Sequence, residues 1–200
     1  MNTVTLSPKF QVVIPQAVRQ AMGLTAGTRL VVRQTGKSIE LVPVPTLEEL
    51  KAELKGCGST IGDEAERFLM ATRKPAPAEP LVLDSSCWLE VFGAGLHAGK
   101  YEAVIAKPAE LLVPIITVYE VYKYLHRVKG EASALRAAHY MEQGKVIDID
   151  WAITLAAAGS GLPMADNLIY ATAQAHGATL WTQDAHFQHL PGVRYFAQGV

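Results

Sequence analysis

From Leu81 onward, short runs of aliphatic residues alternate with longer stretches of helical periodicity, and that alternation leaves few architectures open. Leu81-Val82-Leu83, Leu111 to Ile116, Val146-Ile147 and Ala178 to Trp181 read as short, largely apolar strands of the kind that lie buried on both faces. Between them, Val118 to Val128, residues 131–143, Trp151 to Ala158 and Pro163 to His176 read as helices, with Pro163 suited to a helix start and Gly177 to a helix end. Strands separated by helices are the pattern of a parallel sheet covered on both sides, an α/β/α layering. The chain has 200 residues, 50% of them hydrophobic, which is enough to fill such a core.

Ahead of this stretch, Ala71 to Pro80 reads ATRKPAPAEP. Three prolines in six residues stop any helix and favour an extended backbone, which spans roughly 30 Å over the segment. A softer break falls at Pro43-Val44-Pro45. The sequence therefore divides into residues 1–45, a segment 46–70, a linker 71–80 and a domain 81–200. The first piece reads as a miniature, mostly-β unit. Phe10 to Ile14 is expected as a strand, Pro15 opens a short helix QAVRQAM that stops at Gly23, Arg29 to Arg33 is a strand, Thr35-Gly36-Lys37 turns, and Ile39 to Val42 returns. So few apolar residues make a marginal core, and dimerisation is expected to supply the missing burial. In the second piece Thr46 can cap a helix, with Glu49 at capping-box spacing, and Leu47, Leu50 and Leu54 form a narrow apolar stripe. Gly56 and Gly58 end that helix, and a second is expected from Asp63 to Met70. Helices this short need a partner surface.

Charge is unevenly spread. In residues 1–45, Lys9, Arg19, Arg29, Arg33 and Lys37 face only Glu40, a net +4, whereas residues 46–70 and 81–200 are each net −3. A basic front on an acidic body suits a nucleic-acid-binding head. Cys57 and Cys87 form no CxxC pair and no zinc-spaced cluster with histidine, so free thiols in a reducing cytosol are expected. No signal-peptide pattern and no apolar run of membrane-spanning length is present, and a cytoplasmic protein without membrane partners is the expectation.

Four acidic residues stand where chemistry gathers. Asp84 follows the strand LVL and Asp184 lies two residues past the strand ATLW, and residues beyond the carboxyl ends of parallel strands face the ligand crevice. Asp166 and Glu120 lie in the first turns of helices among apolar neighbours. Converging carboxylates cannot all stay ionised without a cation, and Mg²⁺ takes oxygen donors, waters and substrate phosphate. Such a site activates water and clamps a phosphodiester. The same residues have plainer readings: Asp84 and Asp166 as helix N-terminal groups, and Glu120 as a solvated side chain.

The segment VLDSSCWLEVF resembles the opening of PIN-domain toxins of the VapC family; ITVYEVYKYL resembles that family's second acidic helix, and LPMADNLIYATAQAHGATLWTQD its third motif and the Thr-x-Asp that ends its fourth strand. All four motifs occur in the family's order over about 120 residues. The resemblance implies that Asp84, Glu120, Asp166 and Asp184 bind one or two Mg²⁺ (or Mn²⁺) ions and catalyse hydrolysis of RNA. Ser85 and Thr182 match positions that order the site, although capping and turn roles explain them equally. Glu90 matches a common family position and reads as structural. His186, close to Asp184 in sequence, reads as a surface residue.

TVTLSPKFQVVIPQAVRQAMGLTAGTRLVV resembles AbrB-type antitoxin domains, which form a swapped-hairpin dimer on DNA, with Phe10 standing where Gly or Tyr is frequent. The resemblance implies DNA contacts from Lys9, Gln11 and Arg19; a glutamine suits adenine, and Lys or Arg suits phosphate or guanine. It also casts residues 46–70 as a tail that wraps the toxin, with Lys51, Lys55 or Arg67 reaching its carboxylates; a plain helical spacer is the alternative. The combined expectation is a toxin and its antitoxin in one VapBC-type chain: an endoribonuclease held in check by its own antitoxin segment, binding operator DNA, and assembling as a dimer or higher even-numbered oligomer. A DNA-bound repressor with a catalytically silent PIN-like domain, or a nuclease acting on DNA, is the competing expectation.

Overall fold

The structure is a computed structural model that describes residues 3–36, 38–57, 80–159 and 161–197. Lys37, the helix expected over Asp63 to Met70 with Arg67, and the proline-rich linker up to Glu79 lie outside the described residues. The chain divides into two compact units, Met1–Val44 and Pro45–Val200.

In the first unit, helix α1 (Gln16–Ala21) follows Pro15, whose locked φ and missing N–H suit a helix start. Strands β1 (Leu30–Thr35) and β2 (Ser38–Pro43) pair antiparallel, Val32 opposite Leu41 and Arg33 opposite Glu40. The strand expected over Phe10 to Ile14 does not form: a strand needs a neighbour for its backbone groups, and none lies alongside within this unit. Residues 7–11 close a tight turn instead, with Phe10 in the left-handed region at φ 59°, which accounts for the fit of glycine at this position. No described residue of this unit is buried; Phe10, Val13, Val32 and Ile39 are among its exposed apolar side chains.

The second unit opens with α2 (Leu47–Leu54), whose capping box joins Thr46 and Glu49 in both directions. There follow β3 (Leu81–Leu83), α3 (Ser85–Phe92), α4 (Ala98–Ile105), β4 (Leu111–Pro114), α5 (Ile115–Lys129), α6 (Glu131–Met141), β5 (Lys145–Ile147), α7 (Trp151–Ala158), α8 (Met164–Ala175), β6 (Thr179–Thr182) and β7 (Val193–Tyr195). The five strands form one parallel sheet in the order β5-β4-β3-β6-β7. Helices α3 and α4 and strand β7 were not anticipated from periodicity, and Ile115-Ile116 belong to α5 rather than to a longer β4, because the chain turns into the helix at Pro114.

The pleat divides the core. Leu83, Leu111 and Val113 pack with Trp88, Phe92, Tyr101, Leu125 and Tyr140 on one face, whereas Val82 and Leu180 pack with Ile169, Ala173 and Phe187 on the other. Helix α2 is built into the first of these clusters. Leu50 and Leu54 are fully buried there, and polar contacts stitch the same segment to four helices. Glu53 accepts from Ser133 Oγ and from Arg136 Nε of α6, both at 2.7 Å. Gly56 N–H donates to the Gly93 carbonyl after α3 (2.8 Å), Tyr124 of α5 donates to the Cys57 carbonyl (3.1 Å), and Lys51 is hydrogen-bonded to Glu102 of α4.

Candidate metal centre

The strand order reverses direction between β3 and β6: β4 and β5 lie outward from β3 on one side, and β7 lies beyond β6 on the other. At such a switch point the loops leaving the two central strands diverge and open a crevice at their carboxyl ends. Asp84 directly follows β3 and Asp184 follows β6 by one residue, so the two acidic side chains enter this crevice from neighbouring strands. Glu120, in the second turn of α5, and Asp166, in the first turn of α8, complete the group.

Asp84 is the deepest member, 4% exposed. Its Oδ1 accepts from Ser85 N–H at 2.7 Å, and its Oδ2 accepts from Ser86 Oγ at 2.7 Å and from Thr182 Oγ1 at 3.0 Å. Thr182 Oγ1 in turn accepts the Asp184 N–H at 2.9 Å, so one hydroxyl ties both strand-end acids together. Burial raises the Asp84 carboxyl; the hydrogen bonds from Ser86, Thr182 and Ser85 oppose the rise, and the charge of Asp184 adds to it. Glu120 is raised by burial, opposed by a hydrogen bond with Ser85, and raised further by Asp84, Asp166 and Asp184. Asp166 is raised by burial, lowered by a hydrogen bond with His186, and raised by Asp184 and Asp84. The four acids thus feel one another's charge, and desolvation together with repulsion leaves a site short of positive charge.

Among the described residues, one ligand atom each from Asp166, Asp184 and His186 lies within 4.8 Å of the others, a spacing that one cation spans. Asp84 and Glu120 do not share that spacing; the fit to a divalent ion rests on the carboxylate oxygens of Asp166 and Asp184 with His186 beside them, and Asp84 and Glu120 add negative charge around it.

His186 is a surface residue, as the sequence reading has it, but it also reaches the acids. Its side chain is 57% exposed, yet Nδ1 lies 3.1 Å from Asp166 Oδ2 and 3.2 Å from Asp184 Oδ1. Ser86 was likewise passed over, and it supplies one of the shortest hydrogen bonds to Asp84. The available signals were local: an aspartate two residues before a histidine can turn the backbone so that both face one way, and two serines following an aspartate at a strand end both sit in the first turn of a helix. Glu90, 1% exposed, accepts the His97 N–H at 2.8 Å and shapes the turn between α3 and α4. Of the cations considered for reaching the carboxylates, Lys51 is turned to Glu102 and Glu48 instead, Lys55 lies exposed at the end of α2, and Arg67 is outside the described residues. In the first unit, Lys9 and Gln11 are exposed around the 7–11 turn, and the exposed Arg19 donates Nε–H to the Ile14 carbonyl at 3.1 Å.

Comparison with known proteins places both units. A model of the PIN domain matches residues 81–193. The chain belongs to the PIN-domain family. Ahead of the PIN domain, residues 3–48 match the antidote-toxin recognition MazE family of bacterial antitoxins. No curated protein matches the chain. Among solved structures, it resembles a toxin–antitoxin complex from Klebsiella pneumoniae at 25% identity, covering 57% of this chain and 95% of that one with a TM-score of 0.48. It also resembles a VapBC complex from Rickettsia felis bound to a promoter DNA fragment (18% identity, 58% and 96% covered, TM-score 0.47) and a DNA-bound VapBC from Salmonella typhimurium (16% identity, 59% and 97% covered, TM-score 0.47). The PIN match ends beyond β6 and so contains all four acids. No described helix is long and apolar enough to cross a membrane.

Proposed function

We propose that the PIN domain is a divalent-metal-dependent endoribonuclease, that the segment 46–70 restrains it, and that the MazE-like unit binds operator DNA. The observation that carries the reading is the convergence of Asp84, Glu120, Asp166 and Asp184 from four different elements onto the switch point of the sheet, each of the first three raised by burial. Asp84 and Asp184 also cap the turns that follow them, but capping accounts for neither Glu120 nor Asp166, and a cation would balance the charge of all four.

Asp84, Glu120, Asp166 and Asp184 would hold Mg²⁺ or Mn²⁺. When bound, such an ion supplies Lewis-acid stabilisation of a phosphodiester and lowers the pKa of water in its shell. The chain's own part is positional. Thr182 and Ser86 fix the Asp84 carboxylate with both oxygens committed, and Thr182 holds the backbone of Asp184 in register with it. Ser85 donates its backbone N–H to Asp84 and is hydrogen-bonded through its side chain to Glu120, so it touches both acids.

The restraint rests on α2. The segment 46–57 is fastened to α3, α4, α5 and α6 of the PIN domain. In the first unit, the absence of any buried described residue favours a second copy as the missing half of its core, and the exposed Trp151 and Leu155 of α7 offer the PIN domain a self-association face of its own. A dimer or higher even-numbered assembly follows, with Lys9, Gln11 and Arg19 directed at operator DNA.

Incubating the full chain with RNA and with single-stranded DNA, in Mg²⁺ or in EDTA, as wild type and as Asp84→Asn, tests the central reading. RNA cleavage that needs both the ion and Asp84 supports it. Cleavage of DNA alone moves the substrate class, and ion binding with no cleavage of either polymer, both in the intact chain and after it is cut near residue 71, favours a repressor whose PIN domain is silent. Full activity in the intact chain removes the restraint.

A further inference from the structure

We infer that His186 is a nitrogen ligand to the divalent ion of this site and biases it toward first-row transition ions over Mg²⁺. The inference rests on the metal-centre reading above and names a donor outside its four acids.

Three observations converge on His186. The first is distance. Nδ1 stands 3.1 Å from Asp166 Oδ2 and 3.2 Å from Asp184 Oδ1. Two ligands at right angles around an ion, each about 2.1 Å from it, are about 3.0 Å apart, and at a tetrahedral angle about 3.4 Å apart. Both separations fall between those limits, and the three ligand atoms all lie within 4.8 Å of one another, so Nδ1 stands at a ligand-like distance from each carboxylate oxygen. The second is placement. Asp184 caps the 3-10 turn Ala185–Phe187, and its Oδ1 accepts the His186 N–H at 2.9 Å. Phe187 is fully buried beside Ile169 and Leu180 and pins the turn to the sheet. An exposed imidazole is thereby held at the mouth of the crevice from both sides of its own backbone.

The third is donor chemistry. Mg²⁺ prefers an all-oxygen shell and keeps several waters, whereas imidazole is favoured by later first-row ions, with affinity rising from Mn²⁺ to Co²⁺ and beyond. A site of four carboxylates alone gives no reason to prefer a transition ion. Adding one neutral imidazole nitrogen does, and the preference should grow along that series. The competing role for the same side chain is a counter-ion: a protonated imidazole lying between two carboxylates would stand in for the cation and compete with it. The two roles give opposite signs when the ring is removed.

The experiment is calorimetric titration of the full chain with Mg²⁺, Mn²⁺ and Co²⁺, for wild type, His186→Ala and Asp166→Asn, together with pulsed electron paramagnetic resonance of the Mn²⁺-loaded wild type. The expected result is a loss of about tenfold or more in Mn²⁺ affinity in His186→Ala, a larger loss for Co²⁺, and little change for Mg²⁺, with a ¹⁴N coupling to Mn²⁺ in the wild type. Equal losses for all three ions, tighter Mg²⁺ binding in the variant, or no ¹⁴N coupling in the loaded wild type would overturn the assignment. If the wild type binds none of the three ions saturably, or Asp166→Asn leaves binding untouched, it is the metal-centre reading itself that fails. The resonance measurement uses the unaltered chain, so it stands whether or not a variant folds.

Discussion

Replacing Leu50 or Leu54 with alanine tests whether α2 is part of the PIN core or only lies on it. Both side chains are fully buried in the cluster that holds Trp88, Phe92 and Tyr140. Leucine to alanine deletes three carbons, worth about 2.4 kcal/mol at ~0.8 kcal/mol per buried methylene. The cavity left in a well-packed cluster adds to this, which puts each substitution at about 3–4 kcal/mol, within the usual range for such changes. The two residues lie one turn apart on the same face, so the double variant should fall short of the sum. All three tryptophans, Trp88, Trp151 and Trp181, lie in the second unit, so urea denaturation followed by tryptophan fluorescence reads that unit alone. Glu48→Ala, on the exposed side of the same helix, is the control and should stay within ~0.5 kcal/mol. If Leu50→Ala costs less than about 1 kcal/mol and resembles Glu48→Ala, the helix is not docked in solution and the restraint of the nuclease by this segment loses its anchor.

Four further outcomes follow. Thr46→Ala breaks the capping box in both directions and should cost about 1 kcal/mol in the same assay. In the metal-free chain, Asp84, Glu120 and Asp166 all have raised carboxyl pKa values, so between the unfolded and folded values the native state holds more protons and stability falls as pH rises. Melting temperature without divalent ions should therefore increase as pH drops from neutral toward the carboxylate range, and Asp84→Asn should flatten that slope while abolishing cleavage; a slope unchanged in the variant would contradict the burial argument. Thr182→Val leaves Asp84 Oδ2 and the Asp184 N–H each short of a partner, and should lower stability by about 1–3 kcal/mol and weaken ion binding, read by thermal melting and titration. Operator binding should weaken with salt, and Lys9→Ala or Arg19→Ala should each reduce the log–log salt slope by about one if the side chain meets a phosphate, as measured by fluorescence anisotropy.

The acids were legible before the fold because each sits beside a local landmark. Asp84 and Asp184 follow short aliphatic strands, and strand ends of a parallel sheet are the ligand-facing edge whatever the strand order. The α2 stripe was legible for a similar reason, since Thr46, Glu49 and the leucine spacing all act within one or two turns. Helices α3 and α4 were missed because α3 begins inside the acidic motif and α4 has weak amphipathicity and glycine at its start. The strand expected at Phe10 to Ile14 failed for the opposite reason: local β propensity cannot supply the neighbour that a strand needs.

The sequence by itself determined the α/β alternation and the break between a basic front and the body that follows, and it offered four acids as candidates, because periodicity, composition and strand-end position are local properties. Only the tertiary structure decided the strand order that brings Asp84 beside Asp184, the burial that raises three carboxyls, the commitment of Lys51 to Glu102, and the approach of His186 to two acids. Those depend on residues far apart in the chain meeting in a desolvated crevice, and neither distance nor dielectric is written in any local pattern.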